Sequence, residues 1–269
     1  MIPIPDQVAG VLDSLHEKRP LVLCLTNTVV QNFTANLLLA VGAVPVMLSH
    51  EGEIDELLHS CANGLLVNLG TVNESQAQLM KSAVISAREA GVPWVLDPVA
   101  VGLLGFRTRL CADLLETPPA MIRGNASEIM AVAGVQAAAC RGPESGAASV
   151  DAVAAARQLA NRTGSTVLVT GEIDYISNGA ITYGCSNSDV LLTRVTGAGC
   201  AMGALAAACL AVAESPMQAA AATAAILGVA GERAAARAKY PGSLVPALLD
   251  ELAALRPDDV AETTRIFLV

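Results

Sequence analysis

No C-x-x-C pair occurs in this 269-residue chain, although it holds seven cysteines, at positions 24, 61, 111, 140, 185, 200 and 209. An odd and scattered set of this kind argues against a disulfide framework and points to reduced cysteines, most of them in the core. Histidine is scarcer. His16, His50 and His59 have no zinc spacing with one another or with any cysteine, so neither a structural zinc site nor a histidine-dependent triad is expected. Basic residues number 16 against 25 acidic ones, for a formal charge of −9, and they form no cluster. That makes nucleic acid a poor partner. Long apolar runs are missing too, despite a hydrophobic content of 53 %. Residues 201–213 stop at Glu214 and residues 219–230 stop at Gly231-Glu232-Arg233, both short for a membrane span and rich in alanine, as buried helices are. Residues 1–10 carry Asp6 and two prolines where a secretory leader would place positive charge and an apolar run. A cytoplasmic protein without membrane contact is expected.

No linker, charge block or repeat divides the chain, so residues 1–269 are expected to form one domain, with the Ala/Gly-rich stretch 137–149 as a surface loop. Segments 20–25, 43–48, 64–69, 93–96, 120–122 and 166–169 read as strands whose nearly unbroken hydrophobicity predicts burial on both faces. Helical patterns alternate with them. The strongest is 74–90, where Leu79, Met80, Ala83, Val84 and Ala87 share a face, Asn73 is available as N-cap and Gly91 as the terminating residue. Others fall at 29–40, 53–61, 127–133 and 152–162, giving the βαβ rhythm of a parallel sheet. Later in the chain, 173–177 and 180–183 flank Asn178-Gly179, a hairpin signal. Ala-rich helices at 198–213, 216–236 and 244–255 follow, and the tail 265–269 returns as an edge strand. The sum is a three-layer α/β/α architecture with a mostly parallel central sheet.

Ligands of open parallel sheets gather beyond the carboxyl ends of the strands. Five polar strand endings are therefore candidates: Thr26-Asn27-Thr28, Asn68-Leu69-Gly70-Thr71, Asp97-Pro98, Arg123-Gly124-Asn125 and Thr170-Gly171. The most informative segment is Val195-Thr196-Gly197-Ala198-Gly199-Cys200, just before an apolar helical run. Its glycines allow close approach to an anion, and a helix start there would present unpaired N–H groups and the positive end of its dipole. A tightly packed glycine turn is the competing reading. The segment has neither the G-x-G-x-x-G spacing of a dinucleotide site nor the terminal Lys-Ser/Thr of a P-loop. A helix start favours a thiolate at Cys200, whereas a cysteine of ordinary pKa near 8.5 is only about a tenth ionised at about pH 7.5.

Asn125-Ala126-Ser127-Glu128 has the spacing of a capping box, and its place after Arg123 also suits a carboxylate on water-coordinated Mg²⁺ beside a phosphate-binding guanidinium. Asp97 serves equally as a turn initiator or as an orienter of metal-bound water. Thr170 ends a buried strand and either begins a plain turn or reaches phosphate. The polar stretch 26–36 either reads substrate heteroatoms or, through Thr28 and Gln31, forms a local cap, and Met47 either fills core or lines a pocket for a small sulfur heterocycle.

Taken in order, the blocks TNTVVQNFTAN, VPVML, NLGT, VLDPVAVG, RGNASEI, VTG and TGAGC, spread over residues 21–208, resemble the hydroxyethylthiazole kinase family of the ribokinase-like superfamily. The resemblance implies a ribokinase-like α/β fold without a separate lid domain, a homotrimer with sites near subunit interfaces, and transfer of the γ-phosphoryl of ATP to the hydroxyl of 4-methyl-5-(2-hydroxyethyl)thiazole in thiamine salvage. It implies that Met47 and Gly197 contact the thiazole, with Asn27 and Gly70 as further substrate-side candidates. Arg123 and Thr170, with the amides of Ala198 and Gly199, would hold ATP. Asn125 and Glu128 match the Mg²⁺-associated N-x-x-E pattern, with Asp97 beside them, and Cys200 stands at the catalytic-base position where many related sugar and pyrimidine kinases carry aspartate. Alternatives within the fold are a hydroxymethylpyrimidine kinase or a nucleotide-dependent dehydratase. Outside catalysis, the alternative is a nucleotide-binding protein without turnover.

Overall fold

The computed structural model describes residues 5–135 and 148–269. The loop expected over 137–149 lies outside the described residues up to position 147; Ser149 begins a 3₁₀ turn that runs to Ala152. All nine strands found among the described residues belong to one sheet: β1 (Leu21–Leu25), β2 (Val44–Val46), β3 (Gly64–Asn68), β4 (Trp94–Asp97), β5 (Met121–Asn125), β6 (Thr166–Thr170), β7 (Asp174–Ser177), β8 (Thr182–Cys185) and β9 (Ile266–Leu268). Their spatial order is β2-β1-β3-β4-β5-β6-β7-β8-β9. Pairing is parallel from β2 to β6 and antiparallel from β6 to β9. The hairpin forms where Asn178-Gly179 predicts it, with Gly179 at φ +91° and the Asn178 side chain accepting from the Ala180 and Ile181 amides. The tail pairs as the edge strand β9.

Eleven α-helices accompany the strands: α1 (Pro5–Lys18), α2 (Gln31–Ala40), α3 (Glu51–Ser60), α4 (Glu74–Ala90), α5 (Gly105–Leu114), α6 (Ala126–Ala133), α7 (Val153–Thr163), α8 (Ala198–Leu210), α9 (Pro216–Arg237), α10 (Pro241–Ala254) and α11 (Pro257–Thr263). Side chains alternate across each strand, and this alternation divides the core in two. Val22, Cys24, Leu66, Val95, Met121 and Leu168 pack with α1, α2 and α8 to α11. Leu23, Leu65, Val67, Leu96, Ile122 and Val167 pack with α3 to α7. These are the two outer layers of an α/β/α sandwich. Burial on both faces holds for β1 and for β3 to β6, but β2 is only half-buried because it is the sheet's edge.

Helix α4 has the Asn73 N-cap and left-handed Gly91 stop that its sequence predicts, and Gln76 completes a capping box with Asn73. The alanines of α8 let it lie directly on β3 and β4, and every residue from Ala201 to Leu210 is buried. Helices α1, α5 and α11 add to the expected set. Of these, α1 buries Val8, Val11, Leu12 and Leu15 at regular helical spacing, while α5 and α11 are short and weakly patterned. No cap forms between Thr28 and Gln31, because α2 starts later with Val30 at its N-cap. Among the described residues no helix is long and apolar enough to cross a membrane. The six described cysteines are free: Cys24, Cys111, Cys185 and Cys209 are buried, Cys200 is half-buried, and Cys61 departs from the expected core placement by being exposed.

Candidate active site

Strand β1 is followed in the chain by β2 on one side and flanked by β3 on the other, so the loops after β1 and β3 diverge and open a crevice at the carboxyl edge of the sheet. Polar residues converge on it. Asn27 follows β1, Asn68 ends β3, Asp97 ends β4, Arg123 lies in β5 and Thr170 ends β6, so five adjacent parallel strands each deliver a side chain. Asn27, Asn68, Asp97 and Arg123 are buried, and their hydrogen-bonding groups must find one another.

They do so as a chain. Arg123 Nη2 donates to Thr170 Oγ1 at 2.9 Å, and its Nη1 lies 3.6 Å from Asp97 Oδ2. Asn68 Nδ2 donates to the same Asp97 oxygen at 2.7 Å, and Asn27 Nδ2 donates to Asn68 Oδ1 at 3.0 Å and to Cys200 Sγ at 3.4 Å. Asp97 is completely shielded from solvent, and burial pushes its carboxyl up to about 7; Arg123 pulls it down, the nearby Glu128 carboxylate pushes it further up, and the Asn68 hydrogen bond lowers it. An ion pair as long as 3.6 Å does not make up for the lost water. Asp97 Oδ1 and Arg123 Nε are left buried without a hydrogen-bond partner.

Helix α8 points its start into this crevice. Gly197 is its N-cap at φ +89°, in the left-handed region, and a side chain there would collide with Val30. No side chain caps the helix, and its first internal bond runs from the Ala201 amide to the Gly197 carbonyl, so the amides of Gly199 and Cys200 face outward ahead of it. Gly199 lets the Arg123 guanidinium pass, since a Cβ at that position would lie 2.7 Å from Nη2. Beside this helix start is a cavity of about 520 Å³ whose walls include Arg123, Thr170, Ala198 and Gly199 together with Asp174 and Gly228. That size suits a nucleotide.

The hydroxyethylthiazole kinase family model matches residues 12–258. This chain belongs to the hydroxyethylthiazole kinase family. The hydroxyethylthiazole kinase of Akkermansia muciniphila is 52 % identical over 258 residues, covering 96 % of this chain and 95 % of that one. A solved hydroxyethylthiazole kinase structure from Pyrococcus horikoshii OT3 superposes with a TM-score of 0.89 at 37 % identity, over 97 % and 98 % of the two chains. A ribokinase-like superfamily protein from Enterococcus faecalis V583 has a TM-score of 0.66 at 11 % identity, over 93 % and 95 % of the two chains, a likeness of fold alone. The fold is therefore ribokinase-like.

Of the residues singled out by resemblance to the hydroxyethylthiazole kinase family, Arg123, Thr170, Ala198 and Gly199 line the cavity, while Asn27 and Cys200 meet through their hydrogen bond at the other flank of the α8 start. Met47 stands apart, half-buried beyond the edge strand β2 and packed against the core that includes α8. Asn125 and Glu128 form the capping box of α6: Asn125 Oδ1 accepts the Glu128 amide, and Glu128 accepts the Asn125 amide at 2.9 Å and the Ala100 amide at 3.0 Å. The cap and a metal-facing role are compatible, because each carboxylate oxygen keeps a second acceptor site. The thiolate favoured by a helix start is overturned for Cys200. Burial pushes its thiol up to about 11 and the Asp97 carboxylate adds to this, against smaller opposing effects of Asn68, Arg123 and Asn27.

Two residues escaped the sequence reading. Asn68 was visible only as part of a strand ending, and its central place depends on partners 29 and 41 positions away. Asp174 lies in the cavity wall, accepts the Gly171 amide at 3.0 Å, and has its carboxyl pushed up to about 7 by burial. Its position after a turn gave no signal of that.

Proposed function

We propose that this chain phosphorylates the hydroxyl of 4-methyl-5-(2-hydroxyethyl)thiazole with ATP, giving ADP and the thiazole phosphate in thiamine salvage. The observation that carries the reading is the uncapped start of α8, open to a nucleotide-sized cavity on one flank and to the Asn27–Cys200 pair on the other. Family membership supplies the reaction. Arg123 and Thr170 bind ATP phosphates, and the amides of Gly199 and Cys200 receive the migrating phosphoryl group at the positive end of the helix, the Ala198 amide being turned to the Val195 carbonyl. One preorganised donor of this kind contributes roughly 2.7–4 kcal/mol to a transition state, and phosphoryl transfer through a loose transition state needs little early help from a base. The main burden therefore falls on positioning and on the amides. Cys200 takes the hydroxyl proton late, as the thiolate, a form that its raised pKa keeps minor at neutral pH.

Mg²⁺ would be held by Asp97 and Glu128, with Asn125 orienting Glu128. The orphaned Asp97 Oδ1 is an oxygen in want of a cation or a metal-bound water, and Glu128, whose carboxylate acts electrostatically on Asp97, keeps a spare acceptor site on each oxygen. When bound, the ion would neutralise phosphate charge. Met47, Gly197, Asn27 and Gly70 belong to the thiazole side. The chain acts in the cytoplasm as a single catalytic domain, assembled as a homotrimer.

A coupled ADP-release assay with the thiazole alcohol tests the reaction. Turnover that requires ATP, Mg²⁺ and the thiazole alcohol together is expected, with the pyrimidine alcohol a poorer acceptor. Nucleotide binding without ADP release would overturn the reading, and sedimentation of the purified chain checks the trimer.

A further inference from the structure

The amide of Asn68 sits at the junction of the carboxylate and thiol halves of the crevice, and its orientation has no freedom. Its carbonyl oxygen accepts two donors, Asn27 Nδ2 and the Gly70 amide, both at 3.0 Å, and its nitrogen donates to Asp97 Oδ2 at 2.7 Å. Turning the amide over would set its oxygen against the Asp97 carboxylate and its NH₂ against two other donors, losing three bonds at once in a residue with no exposed surface. The Asn68 orientation in turn decides that of Asn27. With one hydrogen of its NH₂ committed to Asn68 and its own oxygen accepting the Val29 amide at 3.2 Å, Asn27 has a single remaining hydrogen, which lies on Cys200 Sγ.

The surrounding chain is shaped to keep this arrangement. A Cβ at Gly70 would lie 2.7 Å from Asn27 Nδ2 and 2.8 Å from its Cβ, so the absence of a side chain there is what admits Asn27. The next residue, Thr71, adopts a left-handed φ of +49°, uncommon for threonine, and its hydroxyl accepts the Thr28 amide at 3.1 Å, tying the loop after β3 to the loop after β1. Gly70 thereby acquires a role different from substrate contact.

We infer that Asn68 is a positioning residue for phosphoryl transfer: it locks the Asn27 amide so that one N–H points at the Cys200 sulfur, where it stabilises the thiolate, the form that accepts the hydroxyl proton and is neutralised by it. A donor held on a thiolate makes a charge-assisted hydrogen bond, stronger than one to a neutral thiol, so it favours the proton-accepting form of Cys200 over the resting thiol. Asn68 itself touches neither substrate nor the migrating phosphoryl group in this scheme. The inference rests on the phosphoryl-transfer reading above.

The test is a set of variants read by steady-state kinetics, thermal melting and NMR of the Asn27 side-chain NH₂. Asn68→Ala is expected to lower kcat roughly ten- to a hundredfold, the effect of losing a hydrogen bond to a charged group, with the KM for ATP nearly unchanged. Asn27→Leu, close in size but without donors, is expected to do the same, and the double variant to be no worse than the poorer single one. In a Cys200→Ala background, Asn68→Ala is expected to cost nothing further in kcat. An equal loss with and without Cys200 would overturn the inference, as would a loss confined to melting temperature. If the wild type fails to release ADP with the thiazole alcohol, the functional reading falls by itself. The NH₂ resonance, assigned through Asn27→Leu, still decides the geometry: it is expected to move in both Cys200→Ala and Asn68→Ala, and a resonance indifferent to either replacement would refute the relay.

Discussion

Cys200 occupies the third position of a helix whose dipole favours negative charge, yet burial and the Asp97 carboxylate hold its thiol up near 11. A base with so high a pKa is mostly protonated at neutral pH, and its active fraction grows as pH rises. kcat is therefore expected to climb between about pH 7 and 9, and this limb to disappear in Cys200→Ala, which lowers kcat by about a hundredfold while altering the ATP KM far less. Cys200→Asp is expected to retain activity, since a carboxylate in its place accepts the same proton and is ionised at neutral pH. A pH series of initial rates on the three proteins decides both points. An alanine variant with unchanged kcat removes Cys200 from the mechanism. Gly199 offers a different test. The Cβ added by Gly199→Ala would press on an Arg123 guanidinium already pinned to Thr170, and the ATP KM is expected to rise about tenfold, the equivalent of one weakened charge-assisted bond, with little change in melting temperature.

Two helices carry the same N-terminal device. Asn73 with Gln76 opens α4 and Asn125 with Glu128 opens α6, each pair exchanging side-chain and backbone bonds. Replacing either asparagine by alanine is expected to cost about 1 kcal/mol of stability in urea unfolding. The functional consequences should differ. Asn73→Ala leaves the Mg²⁺ dependence of turnover unchanged, whereas Asn125→Ala frees Glu128 and raises the Mg²⁺ concentration needed for half-maximal activity. Sequence spacing marks Asn125 and Glu128 as a box and Asn73 as an N-cap, and it cannot separate their functions, because a capping motif is local. What distinguishes α6 is the second acceptor bond of Glu128, to Ala100 in the loop after β4, which brings that carboxylate toward Asp97.

At the scale of the whole molecule, stability depends on carboxyls that the fold buries. Asp174 has its carboxyl raised from 3.8 to about 7, so between these values the folded chain holds a proton that the unfolded chain has already released. Stability is present at low pH within this window and falls as pH rises through it. The melting temperature of the ligand-free protein is therefore expected to drop between about pH 4 and 7, and Asp174→Asn to flatten that slope; a slope unaltered by the substitution would show that other groups cause it. The alternation of strands and helices, the Asn178-Gly179 hairpin, the caps of α4 and α6 and the glycine start of α8 were all legible in the residues, because each depends on side-chain period or on turn chemistry within a few positions. Helix α1 was missed although the spacing of Val8, Leu12 and Leu15 carries it, whereas α5 has too weak a pattern to be read. Which polar residues meet was not legible. Asn27 and Cys200 are 173 positions apart, and only the parallel order of β1, β3 and β4 beneath α8 brings them together. The protonation of Cys200 and Asp97 was likewise decided by the tertiary structure, since it follows from how much water the packed layers exclude, and local sequence does not encode that.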